Sequence, residues 1–370
     1  AVARVPSPSF LTLDEEPTEM ERAVFVARER ELARLDAFLE EALAGKGRVT
    51  FVTGGPGSGK TALVREFVRR CMVRREDLVV TFGNGNAYTG TGDPYLPFLE
   101  TMQMLMGDVE ARWAGGAISR DLAIRLWNLL PDSVEALMGE GPDLIGRFVP
   151  GESLLPRLQA FSLDAGRVSR LEALVEGAAV LEEARQADLF EQYVKVVRGV
   201  AEGHPVILVL DDLQWADAGS IDLLFHLGRR LAGRRILVVG VYRPAEVALG
   251  RGGARHPLEP VINELRRAFG EIEVDLGQTE GRRFVGAFVD SELNRLGAGF
   301  RETLYQHTGG HALFTVEFLR GLQKRGDLVR DETGCWVEGP TLDWKRLPTR
   351  IEAVIAERIG RLPEPMQQLL

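Results

Sequence analysis

The sequence predicts an α/β fold in which the strands of a parallel sheet alternate with helices, and three observations support this prediction. A Gly-rich loop separates an apolar run at 49–53 from a segment with helical periodicity. Other short runs at 77–83, 205–210 and 235–241 are nearly continuously apolar, as expected of strands buried on both faces. Helical patterns lie between these runs, as in the crossover connections of a parallel sheet. A last run, at 271–276, completes the predicted sheet.

The chain before the first strand divides into a tail and a helix. Residues 1–22 contain three prolines and an acidic run among few apolar positions, which is typical of an extended or mobile tail. The segment 32–44 places four apolar residues on one helical face: Leu32, Leu35, Phe38 and Leu39. We therefore expect a mobile tail and then an amphipathic helix that leads to the first strand.

The Gly-rich loop at 54–61 has the spacing G-x-x-x-x-G-K-T. Strand, loop and helix in this order form the context of a phosphate-binding loop, although a Gly-rich turn that only starts a helix is the alternative. The glycines let backbone N–H groups converge on a phosphate at the helix N-terminus. Lys60 is expected to reach the β- and γ-phosphates, and the Thr61 hydroxyl to hold Mg²⁺. The sequence thus predicts a P-loop NTPase whose nucleotide contacts Gly55, Pro56, Gly57, Ser58, Gly59, Lys60, Thr61 and Ala62.

Two adjacent carboxylates follow the apolar run at 205–210. Asp211 is expected to bind Mg²⁺ opposite Thr61, and Asp212 to orient or deprotonate the attacking water. The alternative is that both residues only cap the next helix, as we expect Asp217 to do. Two acids at the end of a buried strand are costly without a cation, which favours the metal site.

Two further side chains are candidates for phosphate contacts. Arg243 follows the neighbouring strand, where its guanidinium could bind a γ-phosphate through two N–H groups, unless it is simply an exposed loop arginine. His311 begins a later helix and could contact a phosphate, or it could have a structural role only. The predicted catalytic residues are therefore Lys60, Asp212 and Arg243.

A long helical insertion, at about 98–186, separates the second and third predicted strands. It is too long for a simple crossover, and we expect its helical pattern to break at Pro131, Pro142 and Pro156. The helix predicted at 188–203 then leads to the strand that precedes the acidic pair.

The pattern changes to helices alone after residue 278. Helices are predicted at about 278–296, 299–307 and 311–324, and a hairpin at 328–330 and 335–337. Another helical pattern begins at 347. The predicted domains are a tail at 1–22, a nucleotide-binding domain at 23–277, a helical domain with the hairpin at 278–345, and the beginning of a further domain at 346–370.

The composition narrows the possible functions. A formal net charge of −9 argues against a nucleic-acid surface that extends over the whole chain. Cys71 and Cys335 form no C-x-x-C pair, which indicates a reducing compartment. No apolar run approaches the ~18 residues of a membrane span, and no signal peptide opens the sequence. We expect a cytoplasmic protein that does not enter a membrane.

The ends of the sequence suggest a fragment of a longer protein. We expect this because the sequence starts with Ala1 and stops within a helical pattern.

Five motifs follow one another in a recognisable order: residues 27–32, the phosphate loop, D-D-L-Q-W-A-D at 211–217, Y-R-P at 242–244 and G-H-A at 310–312. This order resembles the STAND class of signal-transduction ATPases, which are relatives of the AAA+ ATPases. The most similar members are bacterial proteins with tetratricopeptide sensors, including maltose-regulator-like activators. The resemblance extends over about 23–370.

The resemblance implies a sheet of strand order 5-1-4-3-2, then a helical domain and a winged helix that begins near residue 346. It also implies a switch that is closed and monomeric with ADP, opens with ATP plus an inducer, and then self-associates. Slow, Mg²⁺-dependent ATP hydrolysis is expected. Sensor and effector domains are expected outside this chain, and we expect no direct nucleic-acid binding by it.

Contacts with the adenine base are implied by the same resemblance. In such proteins Val26 and Arg28 border the base. Ala27 stands where the family prefers glycine, and Ala312 stands where a proline packs on the base. We therefore add Val26, Arg28, His311 and Ala312 to the expected nucleotide contacts.

Two other classes of protein share parts of this pattern. An AAA+ initiator or loader of DNA replication also pairs such an entry motif with a winged helix, but it usually supplies an arginine to the nucleotide from the helical domain. The matching segment here, 309–314, contains no arginine. A small-molecule kinase would need a compact plan, whereas about 150 residues separate Thr61 from Asp211. The switch is the preferred interpretation.

Overall fold

The computed structural model describes residues 25–85, 94–161, 165–178, 185–250, 254–278, 281–340 and 342–344. Its described residues form two compact units. The first contains Leu32–Gly54 and Val64–Asp275, and the second contains Gly55–Leu63 together with residues 25–31 and 276–344. The predicted tail at 1–22 and the predicted winged-helix segment at 346–370 lie outside the described residues. The domain boundaries stay predictions.

The first unit is built on a five-stranded sheet. Its strands are β1 (Arg48–Thr53), β2 (Val79–Asn84), β3 (Val206–Asp211), β4 (Ile236–Tyr242) and β5 (Glu273–Asp275). They lie in the order β2-β3-β4-β1-β5, and every neighbouring pair is parallel. Read from the other edge this is 5-1-4-3-2, so the predicted P-loop NTPase sheet is confirmed.

Burial explains why these segments form strands. All residues of β1 and β4 are buried, as are all but the last of β3, and β-branched side chains that pack well in a sheet are frequent among them. The register pairs Thr53 with Tyr242, and Asn84 with Asp211. The carboxyl ends of the strands therefore meet at one edge of the sheet, which is where ligands bind in open α/β sheets.

Helices connect the strands. Up to β5 they are α1 (Glu29–Leu43), α2 (Lys60–Arg74), α3 (Leu96–Leu105), α4 (Glu110–Ala114), α5 (Arg120–Glu140), α6 (Gly151–Gln159), α7 (Ala165–Ala178), α8 (Gln186–Gly203), α9 (Ala218–Gly228), α10 (Pro244–Leu249) and α11 (Leu258–Phe269). The predicted apolar face of α1 is buried as expected. Among the described residues, no helix combines the length and the apolar character that a membrane span requires.

The prediction that prolines break the insertion is wrong at two positions. Pro131 lies inside α5 and Pro156 inside α6, whereas Pro142 does begin a separate 3₁₀ turn, Pro142–Leu144. A proline within a helix costs about 3 kcal/mol. Burial of one leucine contributes roughly 1.5–3 kcal/mol, and both helices bury leucines on either side of the proline or next to it. Packing therefore outweighs the lost hydrogen bond.

The described part of the second unit contains three more helices and a hairpin. They are α12 (Gly281–Val289), α13 (Ala298–Thr308), α14 (Ala312–Arg325), β6 (Leu328–Arg330) and β7 (Trp336–Glu338). The two strands are antiparallel, which confirms the predicted hairpin. Buried apolar side chains of the helices and of β6 form one core with Ala27, and Val26 and Ala312 pack against it.

Candidate functional site

The phosphate loop begins directly after β1 and ends in α2, whose first residue is Lys60. Gly57 and Gly59 have φ angles of 71° and 92°, which side chains with a Cβ rarely adopt. The ammonium group of Lys60 donates to the carbonyl of Gly55 at 2.9 Å, and the whole residue is 7% exposed. Leu63 N–H donates to Gly59 O at 2.9 Å, which starts the helix. The glycines and the lysine thus form a tight turn that leads into the N-terminus of α2, and anions bind at helix N-termini of this kind.

Arg28 is a buried neighbour of this loop. Its guanidinium donates to Ser58 O at 3.1 Å, to Glu31 Oε1 at 3.0 Å and to Leu276 O at 3.4 Å. Burial lowers the pKa of Arg28, and the charge of Glu31 partly opposes this effect. The adjacent residue, Ala27, has a φ of 56°. Glycine adopts such a backbone without the strain that a residue with a Cβ has there.

The start of α14 also contacts the phosphate loop. His311 Nε2 lies 2.8 Å from Pro56 O, and because a carbonyl only accepts, Nε2 carries the proton. Two residues later Leu313 N–H donates to Gly57 O at 3.1 Å. A direct contact of His311 with a phosphate stays a prediction, as do the adenine contacts of Val26, Arg28 and Ala312. Thr61 and Ala62 are exposed at the first turn of α2.

The acidic pair lies at the carboxyl end of β3. Asp211 is the last residue of the strand and is half-buried, and its Oδ1 accepts from the N–H of Asp212 at 2.8 Å. Asp212 has a φ of 52°, a conformation that aspartate tolerates better than most residues but that still stores strain. Backbone strain of this kind is frequent where a side chain has a functional orientation.

Gln214 links this acidic pair to the end of β4, and sequence reasoning gave it no role. Its Nε2 donates to Asp212 Oδ1 at 2.6 Å, while its Oε1 accepts from Arg243 N–H at 3.1 Å. The residue is 1% exposed. Behind it, buried His256 accepts from Leu258 N–H through Nδ1, so Nε2 carries the proton and donates to Gln214 O at 3.0 Å.

Arg243 lies between two carboxylates rather than pointing freely into solvent. Its guanidinium is 3.8 Å from Asp212 Oδ1 and 4.0 Å from Glu246 Oε1, and its side chain is 24% exposed. These distances are at the limit of an ion pair, so the guanidinium is not engaged in a tight fork. An anion with shorter contacts could therefore compete for it.

The capping alternative applies to Asp217 and not to the acidic pair. Asp217 is the N-cap of α9, where Oδ1 accepts from Ser220 N–H at 2.9 Å and Oδ2 contacts the Ser220 hydroxyl. Its Oδ2 also accepts from Tyr95 N–H at 3.2 Å. Asp212 precedes the short 3₁₀ turn Leu213–Trp215 and makes no side-chain capping bond.

Two of the predicted site residues carry oxygen donors of the kind that Mg²⁺ prefers. Among the described residues, no cluster of three or more His, Cys, Asp or Glu side chains is arranged to hold an ion. Mg²⁺ is usually bound by one or two carboxylates, waters and the phosphates of a substrate. The carboxylate of Asp211 and the hydroxyl of Thr61 are oxygen donors of this kind.

Comparisons with known proteins place part of this chain in a family. The sequence profile of the AAA ATPase domain family matches residues 24–239. An uncharacterized protein of Rhizobium meliloti (strain 1021) is 25% identical over 227 residues, which are 60% of this chain and 18% of that protein. The chain thus spans about a fifth of the length of that curated relative.

Two solved structures are also similar to this chain at low identity. The ORC1 protein of Aeropyrum pernix, solved in complex with DNA, has a TM-score of 0.37 and 17% identity, over 96% of this chain and 72% of that chain. A Walker-type ATPase of Pyrococcus abyssi has a TM-score of 0.42 and 13% identity, over 97% and 79% respectively.

Proposed function

Because this chain belongs to the AAA ATPase domain family, we propose that it is the nucleotide-binding switch of a STAND-class signal-transduction ATPase. In this proposal the chain binds ATP or ADP with Mg²⁺ and hydrolyses ATP slowly. ADP holds it in a closed monomeric form, and ATP together with an inducer opens it for self-association. Sensor and effector domains would belong to other parts of a longer protein.

One observation carries the nucleotide-binding part of this proposal. The loop with Lys60 starts directly after β1. Asp211 ends β3 and Asp212 follows it, in a parallel sheet where β1 and β3 end at the same edge. Phosphoryl transfer needs placed charges more than covalent help from the protein. A lysine at a helix N-terminus and two adjacent carboxylates are charges of the required kinds.

Each charged residue has a distinct role in the proposed reaction. Lys60 binds the β- and γ-phosphate oxygens, and Thr61 with Asp211 holds the magnesium ion. Asp212 orients the attacking water or accepts its proton. Arg243, which lies only loosely between Asp212 and Glu246, exchanges these carboxylates for the γ-phosphate and so reports its presence.

The proposed change between a closed and an open form follows from the thermodynamic linkage between nucleotide binding and conformation. A nucleotide shifts the balance between two forms only by the difference in its affinity for them. A change from about 1:99 to 99:1 needs roughly 5.5 kcal/mol, which exceeds the contribution of one arginine–phosphate contact. ATP alone should therefore leave this chain mostly monomeric, and binding of an inducer elsewhere in the protein supplies the remainder.

Isothermal titration calorimetry with ADP and ATP tests the binding site. Lys60→Ala removes a charge-assisted contact worth about 2–3 kcal/mol, so we expect a roughly 30- to 150-fold loss of affinity. Lys195→Ala on the exposed face of α8 is the matched control, and it should bind as the wild type does. Equal affinities of wild type and Lys60→Ala would refute the assignment of the loop.

Light scattering tests the switch. If the chain is a monomer both with ADP and with a non-hydrolysable ATP analogue, the linkage argument is supported. A ring that forms only with the analogue indicates that ATP alone opens the chain when no sensor domain restrains it. A stable oligomer with ADP alone would contradict the switch. DNA binding that depends on ATP would instead favour the replication-initiator alternative, which shares the AAA-type core.

A further inference from the structure

Three successive carbonyl groups of the phosphate loop accept hydrogen bonds from donors outside the loop. The acceptors are the carbonyls of Pro56, Gly57 and Ser58, and the donors in the same order are His311 Nε2, Leu313 N–H and the Arg28 guanidinium. The donor–acceptor distances are 2.8, 3.1 and 3.1 Å. All six residues belong to the second compact unit. These three bonds hold the loop by its backbone.

These bonds fix the direction of the N–H groups that a phosphate would need. In a planar trans peptide the carbonyl of one residue and the N–H of the next point in opposite directions. Holding the carbonyls of Pro56 and Ser58 therefore orients the N–H groups of Gly57 and Gly59 away from those donors. A concave set of loop N–H groups is what binds an anion. The N–H of Ser58 donates within the loop to Gly55 O at 3.2 Å.

Gly57 gives independent support for a close approach between loop and helix. It occupies a variable position of G-x-x-x-x-G-K-T, so the motif alone does not call for glycine there. A Cβ at this position would lie 2.8 Å from His311 Cε1 and 2.8 Å from Leu313 Cβ. Both distances are shorter than van der Waals contact permits. Glycine at this position suits the φ of 71° and also leaves room for the start of α14, where Leu313 N–H would otherwise be an unsatisfied helix-terminal donor.

We propose that His311 is a positioning residue, which holds the phosphate loop in its anion-binding form through the Pro56 carbonyl. This inference rests on the proposed function, because it assumes that the loop binds nucleotide phosphates. The start of α14 then sets phosphate affinity without touching a phosphate. A loop that has to become ordered on binding loses affinity to the entropy of ordering, and the His311 bond removes part of that cost beforehand.

The first test measures the loop in the nucleotide-free chain. We expect hydrogen–deuterium exchange of peptides covering residues 54–62 to be faster in His311→Ala than in the wild type. In His311→Gln, whose amide nitrogen can replace Nε2 as the donor, exchange should return toward the wild-type rate. Peptides from 316–325 should be unchanged in both variants and show that α14 remains folded. His204→Ala, in the first unit, is the matched control.

The second test measures affinity for ATP and for inorganic tripolyphosphate by calorimetry. Loss of one hydrogen bond predicts about a 3- to 10-fold weaker binding of both ligands by His311→Ala. His311→Gln should bind within about twofold of the wild type. An equal loss in the two variants would show that the imidazole itself is needed and would overturn the positioning role.

The two proposals fail in different ways. Unchanged loop exchange in His311→Ala overturns this inference whatever the nucleotide affinity. Wild-type chain that binds neither ATP nor ADP overturns the proposed function, while the exchange measurement still reports whether His311 holds the loop.

Discussion

Gln214 has no proposed role in the hydrolysis step itself, yet it orients the residue to which we assign that step. Its amide donates to Asp212 and accepts from the backbone of Arg243, so one buried side chain orients the proposed base and ties it to the end of β4. The strained backbone at Asp212 adds to this orientation. The carboxylate is consequently held in place before a nucleotide arrives.

Asp212 should be needed for turnover but not for binding. We expect Asp212→Asn to keep ATP bound while hydrolysis falls by about 10²–10⁴-fold, because only the transition state needs the carboxylate. Asp211→Asn should instead weaken the binding of Mg²⁺-ATP. Wild-type hydrolysis by Asp212→Asn would disprove the water-orienting role.

The Gln214→Leu substitution should lower kcat about tenfold with little change in KM, because it removes the bond that orients Asp212. Gln306→Leu on an exposed face is the control for this variant.

The sequence indicates the residues of the candidate site unevenly, for a physical reason. Lys60 and the acidic pair are recognisable because a phosphate loop and a strand end have local patterns. Gln214 and His256 have no such pattern, since their partners are set by the register of β3 against β4 and by the path after β4. Similarly, the role of Gly57 becomes visible only when the start of α14 is placed beside it.

At the level of elements, periodicity predicted most strands and helices because each has one buried face or is buried entirely. The exceptions are Pro131 and Pro156, where local propensity indicated a helix end and tertiary packing continued the helix. The long predicted helix at 278–296 is shorter in the structure and ends at Val289. Where a helix begins and ends thus depends on tertiary packing more than whether the helix forms at all.

The packing of α8 against α9 should make stability depend on pH through His226. Burial lowers the pKa of His226, and the positive charge of Arg230 and, to a smaller extent, Arg229 adds to this shift, whereas Glu191 opposes it. The unfolded chain therefore takes up the proton more readily than the folded chain. Stability should be fully present above the ordinary histidine pKa of about 6.5 and fall as the pH decreases below it.

Urea unfolding between pH 8 and pH 5.5 measures this effect. As the pH decreases, we expect the free energy of unfolding to fall less in His226→Gln than in the wild type, because the glutamine side chain does not bind a proton. His204→Gln is the control and should follow the wild type. Parallel curves for wild type and His226→Gln would show that another group is responsible.

On the scale of the whole molecule, Cys71 should report unfolding of the first unit, whereas Cys335 should react in the folded chain as well. Cys71 on α2 is 1% exposed, and burial raises its pKa to about 12, with a smaller contribution from the charge of Asp36. Cys335 lies in the hairpin turn and is partly exposed. Since the thiolate is the reactive form, Cys71 should react only when the first unit opens.

Iodoacetamide labelling at pH 8 tests this expectation. In Cys335→Ser, labelling should be at least about a thousand-fold slower in buffer than in urea, as expected for a domain of ordinary stability. In Cys71→Ser, the remaining thiol should react in buffer. Rapid labelling of Cys71 in buffer would mean that α2 separates from the sheet without global unfolding.

The strand order also determines when this protein can fold during its synthesis. β1 pairs only with β4 and β5 in the described sheet, and its register partner in β4 is about 190 residues further along the chain. A ribosome adds roughly 5–20 residues per second, so β1 waits on the order of 10–40 s for that partner. During this interval both edges of β1, a strand that is fully buried in the fold, stay unpaired, and β2 can pair with β3 only near its end. The partly synthesised chain is therefore the form that a chaperone would protect most.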